Sequence, residues 1–145
     1  MEQKNEMTIV FDSRSCNEGF VTVAAFCTQL NPTLEEVADI KTAVSEAITN
    51  SIIHGYENQV KKIRIDCCIR GRTIYVTVKD EGKGIADVKR AMEPMFTTCP
   101  ELERSGMGFA FMEAFMDSIQ VESEVGKGTV VYMEKTIGNH SSAFA

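Results

Sequence analysis

Apolar residues recur at two different spacings along the chain, and these spacings predict its helices and strands. A weak alternation over 7–11 predicts a short strand, and the mostly apolar run 17–30 predicts a helix. After Thr33, apolar residues recur every three or four positions to about His54, which predicts a second and longer helix. Thr33 and Glu36 have the spacing of a capping box, in which each side chain pairs with a free backbone N–H at the helix start.

The second half of the chain alternates apolar and polar residues, as strands do. Residues 62–69 and 73–79 alternate on either side of Gly71, which predicts a hairpin. Two further helices and a closing hairpin are predicted at 86–92, at 108–117, and at 119–122 with 129–134. Elements with one apolar face each pack in two layers. We therefore expect an α/β (α+β) two-layer sandwich with a mixed, mostly antiparallel sheet that helices cover on one face.

The length of 145 residues predicts a single domain, which we place at 1–137, with a small polar tail at 138–145 that is expected to be disordered. The net charge of −6 argues against direct binding to nucleic acid, since the chain has no excess of Lys and Arg to neutralise phosphates. The longest apolar run, 19–26, is too short to span a bilayer, and residues 1–6 show no signal-peptide pattern. A cytoplasmic protein without membrane contact is expected.

The cysteine count adds little chemistry to this picture. The chain has five cysteines and no Cys-x-x-Cys pair. Reduced thiols that serve as small apolar side chains are the expected reading, and a zinc site is not predicted.

Glu46, Asn50 and His54 are spaced by four residues and lie on one face of the long predicted helix. The spacing alone is more typical of a face in solvent, but asparagine is a mediocre helix former in a helix interior. If this face borders a pocket, Asn50 offers a neutral oxygen to Mg²⁺. Glu46, one turn earlier, is then placed to accept a proton from an attacking hydroxyl.

Asp80 ends a strand that the pattern predicts to be buried, and Gly82 and Gly84 follow it closely. An aspartate at this place often does no more than initiate a turn. The alternative is a carboxylate that accepts a hydrogen bond from the exocyclic amine of adenine, beside glycines that let the backbone approach the base.

A Gly-x-Gly sequence at Gly106 and Gly108 precedes a predicted helix. The motif alone is weak, but at a helix start it presents free N–H groups and the positive end of the helix dipole to phosphate. Arg104 lies beside it. The sequence contains neither a P-loop nor the catalytic-loop motifs of conventional protein kinases.

The order of these motifs resembles the GHKL ATPases, the superfamily that includes the histidine kinases. Glu-x-x-x-Asn lies on a helix, Asp-x-Gly-x-Gly follows a strand, and Gly-x-Gly opens a later helix. Residues 45–50 with 54–56, 96–98 and 100–109 are similar in wording to the anti-sigma F factor family of spore-forming bacteria, and the resemblance runs from about residue 5 to residue 135.

The resemblance implies a homodimeric protein serine/threonine kinase. Such a protein binds the sporulation sigma factor F when ATP is bound, and it phosphorylates a serine of an anti-anti-sigma factor. Glu46 is implied to be the catalytic base, Asn50 the Mg²⁺ ligand, and Asp80 the adenine anchor, while residues 96–104 form the ATP lid. The implied ATP- or ADP-binding residues are Asn50, His54, Asp80, Gly82, Gly84, Thr97, Thr98, Arg104, Ser105, Gly106, Met107, Gly108, Phe109 and Thr129.

One departure concerns the first helix. The family has an arginine shortly after the phenylalanine that matches Phe20, whereas here Phe20 is followed directly by Val21 and Thr22. This difference bears on partner docking and leaves the nucleotide motifs intact. Two alternatives to the kinase stay open: a general-stress anti-sigma kinase of the same family, and a nucleotide-gated binding module without phosphotransfer. A histidine kinase is disfavoured, since no stretch has room for a phospho-accepting helical hairpin.

Overall fold

A computed structural model of the chain describes residues 6–52, 61–85 and 108–138. The helix predicted at 86–92 and the tail from residue 139 onward lie outside the described residues.

Five strands form one antiparallel sheet in the described part of the chain. They are β1 (Glu6–Asp12), β2 (Lys62–Arg70), β3 (Thr73–Asp80), β4 (Ser118–Glu124) and β5 (Gly128–Thr136). Their spatial order is β1-β2-β3-β5-β4, and every neighbouring pair is antiparallel. Gly71, at a φ of 62°, makes the turn of the β2–β3 hairpin. The predicted sandwich with a mostly antiparallel sheet is confirmed.

Three α-helices accompany the sheet within the described ranges: α1 (Cys16–Cys27), α2 (Leu34–Asn50) and α3 (Gly108–Phe115). The capping box at the start of α2 is present, since Thr33 Oγ1 accepts from Glu36 N at 3.1 Å and Glu36 Oε1 accepts from Thr33 N at 2.9 Å. At its other end α2 is predicted to reach about His54. Its α-helical part ends at Asn50, Ser51 and Ile52 continue it as a wider π turn, and residues 53 and 54 lie outside the described residues.

The apolar core lies between the helices and one face of the sheet. Alternate residues of β2, β3 and β5 are buried on this face, and α2 buries one apolar stripe against them. The fully or almost fully buried members include Ile40, Val44, Ile48, Ile63, Ile65, Ile74, Val76, Val78, Met112 and Met133. Gly19 lets α1 pack closely against β1 and α2, since a Cβ there would come within 2.7 Å of Phe11 Cζ and 2.8 Å of Ile48 Cδ1.

The thiols of the described cysteines behave as the sequence predicts. Cys27 and Cys67 are buried in the core, Cys68 is half-buried, and all three are free. Burial raises the pKa of Cys27 to about 11 and that of Cys67 to about 12, so both are protonated at neutral pH. Among the described residues, no group of three His, Cys, Asp or Glu side chains is placed to hold a metal ion.

The helices of the described part of the chain are too short or too polar to cross a membrane. The fold brings the last residues of α2, the end of β3 and the start of β5 to one end of the sheet. Asp80, the last residue of β3, pairs across the sheet with Thr129 of β5.

Candidate functional site

Asp80 is a carboxylate in the protein interior, with 4% of its surface exposed. Its Oδ2 accepts a hydrogen bond of 2.8 Å from Ser51 Oγ, and its Oδ1 accepts one of 2.9 Å from the backbone N–H of Gly82. Burial raises the pKa of Asp80 above the ordinary value, because desolvation disfavours the charged form. The donors from Gly82, Ser51 and the Thr129 backbone oppose that rise in pKa by stabilising the carboxylate.

Ser51 was not among the predicted site residues. It is buried where the π turn begins after α2, and that placement directs its hydroxyl onto Asp80. π turns of this kind are frequent at functional sites. The sequence offers only its position beside Asn50 as a signal, since the contact joins residues 29 positions apart.

Asn50 directly precedes Ser51 and has the feature that points most directly to a ligand. Its side-chain nitrogen Nδ2 is buried and has no hydrogen-bond partner among the residues that the structure describes. A buried donor that stays unpaired costs about 1–3 kcal/mol. Native proteins rarely keep such a group unless water, an ion or a ligand satisfies it. Glu46, one turn earlier on α2, is half-buried as well. The helix face that carries Glu46 and Asn50 is therefore not fully exposed to solvent.

Two glycines hold the loop after β3 against the hairpin between β4 and β5. Gly84 has a φ of 79°, and a Cβ there would overlap the carbonyl of Glu124. Gly128 has a φ of 114°, and a Cβ there would overlap the carbonyl of Asp80. The Gly126 N–H also donates to the Lys83 carbonyl at 2.7 Å. Gly82 and Gly84 are predicted to let the backbone approach a base. In this structure Gly84 lets backbone approach backbone, and Gly128, which is not among the predicted residues, does the same.

Thr129 lies beside Asp80 and is 8% exposed. Its Oγ1 is 2.8 Å from Ser123 Oγ on β4. Ser123 Oγ accepts from the backbone N–H of Ile85 at 2.7 Å and lies 2.9 Å from the carbonyl oxygen of Gly128. Ser123 is the second residue that the sequence analysis missed, because alternation along β4 shows only that its side chain is half-buried.

The structure brings Asp80, Gly82 and Thr129 together, with Asn50 joined to them through Ser51. Gly108 and Phe109 are the first two residues of α3. The remaining predicted residues lie outside the described residues: His54, Thr97, Thr98, Arg104, Ser105, Gly106 and Met107.

This set of groups fits a nucleotide better than a metal alone. A buried carboxylate with hydrogen-bond capacity left is suited to an amino group of a base, and an unpaired amide nearby is suited to polar groups of the same ligand. Asn50 would be a single neutral ligand for Mg²⁺. That is the usual case for a cation that takes most of its ligands from phosphate and water.

Comparison with known proteins places the chain in a family. Residues 18–135 match the family described as histidine kinase-like ATPase domain. The anti-sigma F factor of Thermoanaerobacter pseudethanolicus is 57% identical over 141 residues, which are 96% of this chain and 99% of that protein. The anti-sigma F factor of Clostridium kluyveri is 56% identical over 139 residues, or 94% of this chain and 98% of that protein.

Among solved structures, the fold resembles the RsbU and RsbW domains of a Mycobacterium tuberculosis protein. The TM-score is 0.66 at 17% sequence identity, and the match covers 92% of this chain and 32% of that longer one. Identity this low concerns the fold, which is the sandwich seen here. With the identity to the curated relatives and the family match taken together, the chain belongs to the anti-sigma F factor family, which has the histidine kinase-like ATPase domain.

Proposed function

We propose that this protein is an anti-sigma factor that binds and inhibits the sporulation sigma factor F in an ATP-dependent manner. We further propose that it is a serine kinase that phosphorylates an anti-anti-sigma factor and acts as a homodimer. The names of its relatives support the sigma-factor partner. The observation that carries the nucleotide part is the buried Asp80 carboxylate, held by hydrogen bonds from Ser51 and Gly82.

In the proposed complex, Asp80 accepts a hydrogen bond from the exocyclic amine of adenine, and Thr129 lies beside the base. An ionised carboxylate has about four lone-pair positions, and the hydrogen bonds from Ser51 and Gly82 use two of them. Acceptor capacity is therefore left for the ligand. Gly82, buried next to Asp80, fixes the carboxylate through its N–H and adds no side chain to the pocket.

The phosphates would extend from there past α2 toward the start of α3, where residues 105–109 are the proposed phosphate loop. Asn50 would hold Mg²⁺ through its amide oxygen, which leaves its nitrogen to donate to the ligand or to water. Bound Mg²⁺ supplies charge neutralisation on the phosphate oxygens as negative charge develops. A ligand here would satisfy the unpaired Asn50 nitrogen that the structure shows.

In phosphoryl transfer the protein mainly positions the reactants and stabilises charge. The serine oxygen of the partner forms a bond to the γ-phosphorus, and the bond between that phosphorus and the β,γ-bridging oxygen breaks with its electron pair leaving on ADP. Glu46 accepts the proton of the serine hydroxyl. Its place one turn before Asn50 puts the proposed base and the proposed metal ligand on one side of α2.

The chain differs from the family pattern near Phe20, where the expected arginine is absent. A cation nevertheless lies beside Phe20, because Lys41 Nζ of α2 is 5.7 Å from the centre of the Phe20 ring. At this distance the ammonium group and the ring attract each other. We propose that the surface around Phe20 contacts a partner and that Lys41 supplies its positive charge.

The test of the kinase is transfer of label from [γ-³²P]ATP to the anti-anti-sigma partner. Wild type should transfer label, and Glu46→Ala should lower the rate by about 100-fold or more while nucleotide binding persists. Glu35→Ala, an exposed glutamate on the same helix, is the matched control and should transfer at the wild-type rate. If wild type transfers no label although it binds ATP, the kinase proposal is wrong and the nucleotide-gated binding module takes its place.

A further inference from the structure

Ser123 makes three polar contacts with groups that border the candidate site. Its Oγ receives the N–H of Ile85 at 2.7 Å, lies 2.9 Å from the carbonyl oxygen of Gly128, and lies 2.8 Å from Thr129 Oγ1. The side chain is half-buried on β4. Ser123 takes no direct part in the proposed reaction.

The hydrogens of the two hydroxyl groups can be assigned from these contacts. A hydroxyl has one hydrogen and two lone pairs. Ser123 can donate to only one group, and a carbonyl oxygen can only accept, so the contact with Gly128 takes the Ser123 hydrogen. Thr129 must then donate its own hydrogen to Ser123 across the 2.8 Å contact. This is the arrangement in which all three contacts of Ser123 are hydrogen bonds.

The consequence concerns the side of Thr129 that faces away from Ser123. With its hydrogen committed to Ser123, the Thr129 hydroxyl has only lone pairs left and acts as an acceptor. Asp80, its partner across the sheet, is also an acceptor. Two acceptors side by side match a group that carries N–H hydrogens, and they repel a carbonyl oxygen.

We propose that Ser123 is a positioning residue that holds the Thr129 hydroxyl as an acceptor beside Asp80, so that the site selects a 6-amino purine over a 6-oxo purine. This inference rests on the proposed nucleotide site. Ser123 does not touch the base in this account. It acts through Thr129, and its loss would free the Thr129 hydrogen to turn and donate to a 6-oxo group or to water.

The experiment compares the affinities of ADP and inosine diphosphate by titration calorimetry. The two ligands differ at position 6 of the purine, where one has an amino group and the other an oxygen. The variants Ser123→Thr and Ser123→Val form a matched pair, because threonine and valine have the same shape and only threonine has the hydroxyl. Thermal unfolding and circular dichroism show that each variant is folded, and Ser123→Ala replaces Ser123→Val if valine prevents folding.

A control comes from a second hydroxyl pair between β3 and β5. Thr73 Oγ1 and Thr136 Oγ1 are 2.8 Å apart at the opposite end of these strands from Asp80. Thr136→Val removes a comparable contact and should leave both affinities unchanged.

Wild type should prefer ADP, and Ser123→Val should reduce the ratio of the two affinities by about 3- to 10-fold, the range expected for one hydrogen bond. Ser123→Thr should keep the wild-type ratio. In a Thr129→Val background, Ser123→Val should change the ratio no further.

If wild type prefers ADP and Ser123→Val keeps the wild-type ratio, the inference about Ser123 is wrong and the nucleotide site stands. A further loss of ratio in the Thr129→Val background would also overturn it, since Ser123 would then act by a route other than Thr129. If wild type binds neither nucleotide, the proposed function fails together with the inference.

Discussion

Asp80 is held by groups from three places in the chain: it accepts hydrogen bonds from Ser51 after α2 and Gly82 after β3, and Thr129 on β5 is its neighbour across the sheet. The environment of the Asp80 side chain therefore depends on how these elements pack together. Burial still dominates over the donors, so the pKa of Asp80 is raised in the folded protein. The raised pKa has a measurable consequence for stability.

A carboxyl group with a raised pKa lowers stability as the pH rises. From the ordinary value of 3.8 up to the higher pKa of the folded state, the folded protein holds more protons at Asp80 than the unfolded chain does. The free energy of unfolding should therefore fall across this window in wild type and show no Asp80 contribution in Asp80→Asn. Urea unfolding of both proteins from about pH 4 to about pH 8 gives the comparison. A difference between the two that is constant with pH would contradict the raised pKa.

The sequence predicts part of this residue-level picture. Alternation along 73–79 places Asp80 at the end of a buried strand, and the structure agrees. Ser51 and Ser123 could not be found in the same way. Ser51 contacts a residue 29 positions away, and the contact of Ser123 with Thr129 depends on the register of the β4–β5 hairpin. Apolar periodicity reveals neither the packing nor the register.

At the level of elements, the loop after β3 and the β4–β5 hairpin fit together only because glycines stand at their contact. Gly84 combines a φ of 79° with a position where a Cβ would overlap the Glu124 carbonyl. Gly126 has a similar φ of 85°, and a Cβ there would meet nothing within 4 Å. The two positions thus separate the effect of backbone conformation from that of crowding.

Gly84→Ala should lower the free energy of unfolding by more than Gly126→Ala does. The left-handed conformation alone costs an alanine about 1–2 kcal/mol. Overpacking against backbone adds typically about 1–3 kcal/mol at Gly84. Chemical denaturation of the two variants tests this difference. Equal losses in both would mean that the loop and the hairpin are not in the close contact described here.

The start or end of an element can be predicted from the sequence where neighbouring residues determine it. The capping box of α2 is read directly from Thr33 and Glu36, and both of its hydrogen bonds are present. The other end of α2 is different: helical spacing continues toward His54, while the helix changes to a π turn at Ser51. A π turn leaves no mark in apolar periodicity, and Ser51 at its start donates a hydrogen bond to Asp80, a residue far away in the sequence.

Across the whole molecule, the candidate site lies at one end of the sheet and a cluster of structural hydrogen bonds lies at the other. Asp80 ends β3 at the candidate site, and Arg72, just before β3, lies at the other end. The Arg72 guanidinium donates to the carbonyl oxygens of Ile137 at 2.8 Å, Leu30 at 2.6 Å and Gly138 at 2.6 Å. It thereby ties the end of the described chain to the segment between α1 and α2.

Arg72→Lys should destabilise the fold and leave nucleotide affinity unchanged. A lysine ammonium cannot reproduce the planar fork that serves several carbonyls at once, so about 1–3 kcal/mol of stability should be lost. Urea unfolding and ADP titration of the same variant give the two readings, with Arg70→Lys on the exposed end of β2 as control. If Arg72→Lys also loses ADP affinity under conditions in which it is fully folded, the nucleotide site is not independent of the Arg72 end of the sheet.

We propose that Asp80 and Asn50 belong to one nucleotide site. The most direct measurement is a crystal structure of the protein with Mg²⁺ and a non-hydrolysable ATP analogue. We expect the exocyclic amine of adenine within hydrogen-bond distance of the Asp80 carboxylate and Mg²⁺ bound to the amide oxygen of Asn50. Adenine bound elsewhere, with Asp80 still enclosed by protein donors alone and Asn50 remote from the metal, would contradict it.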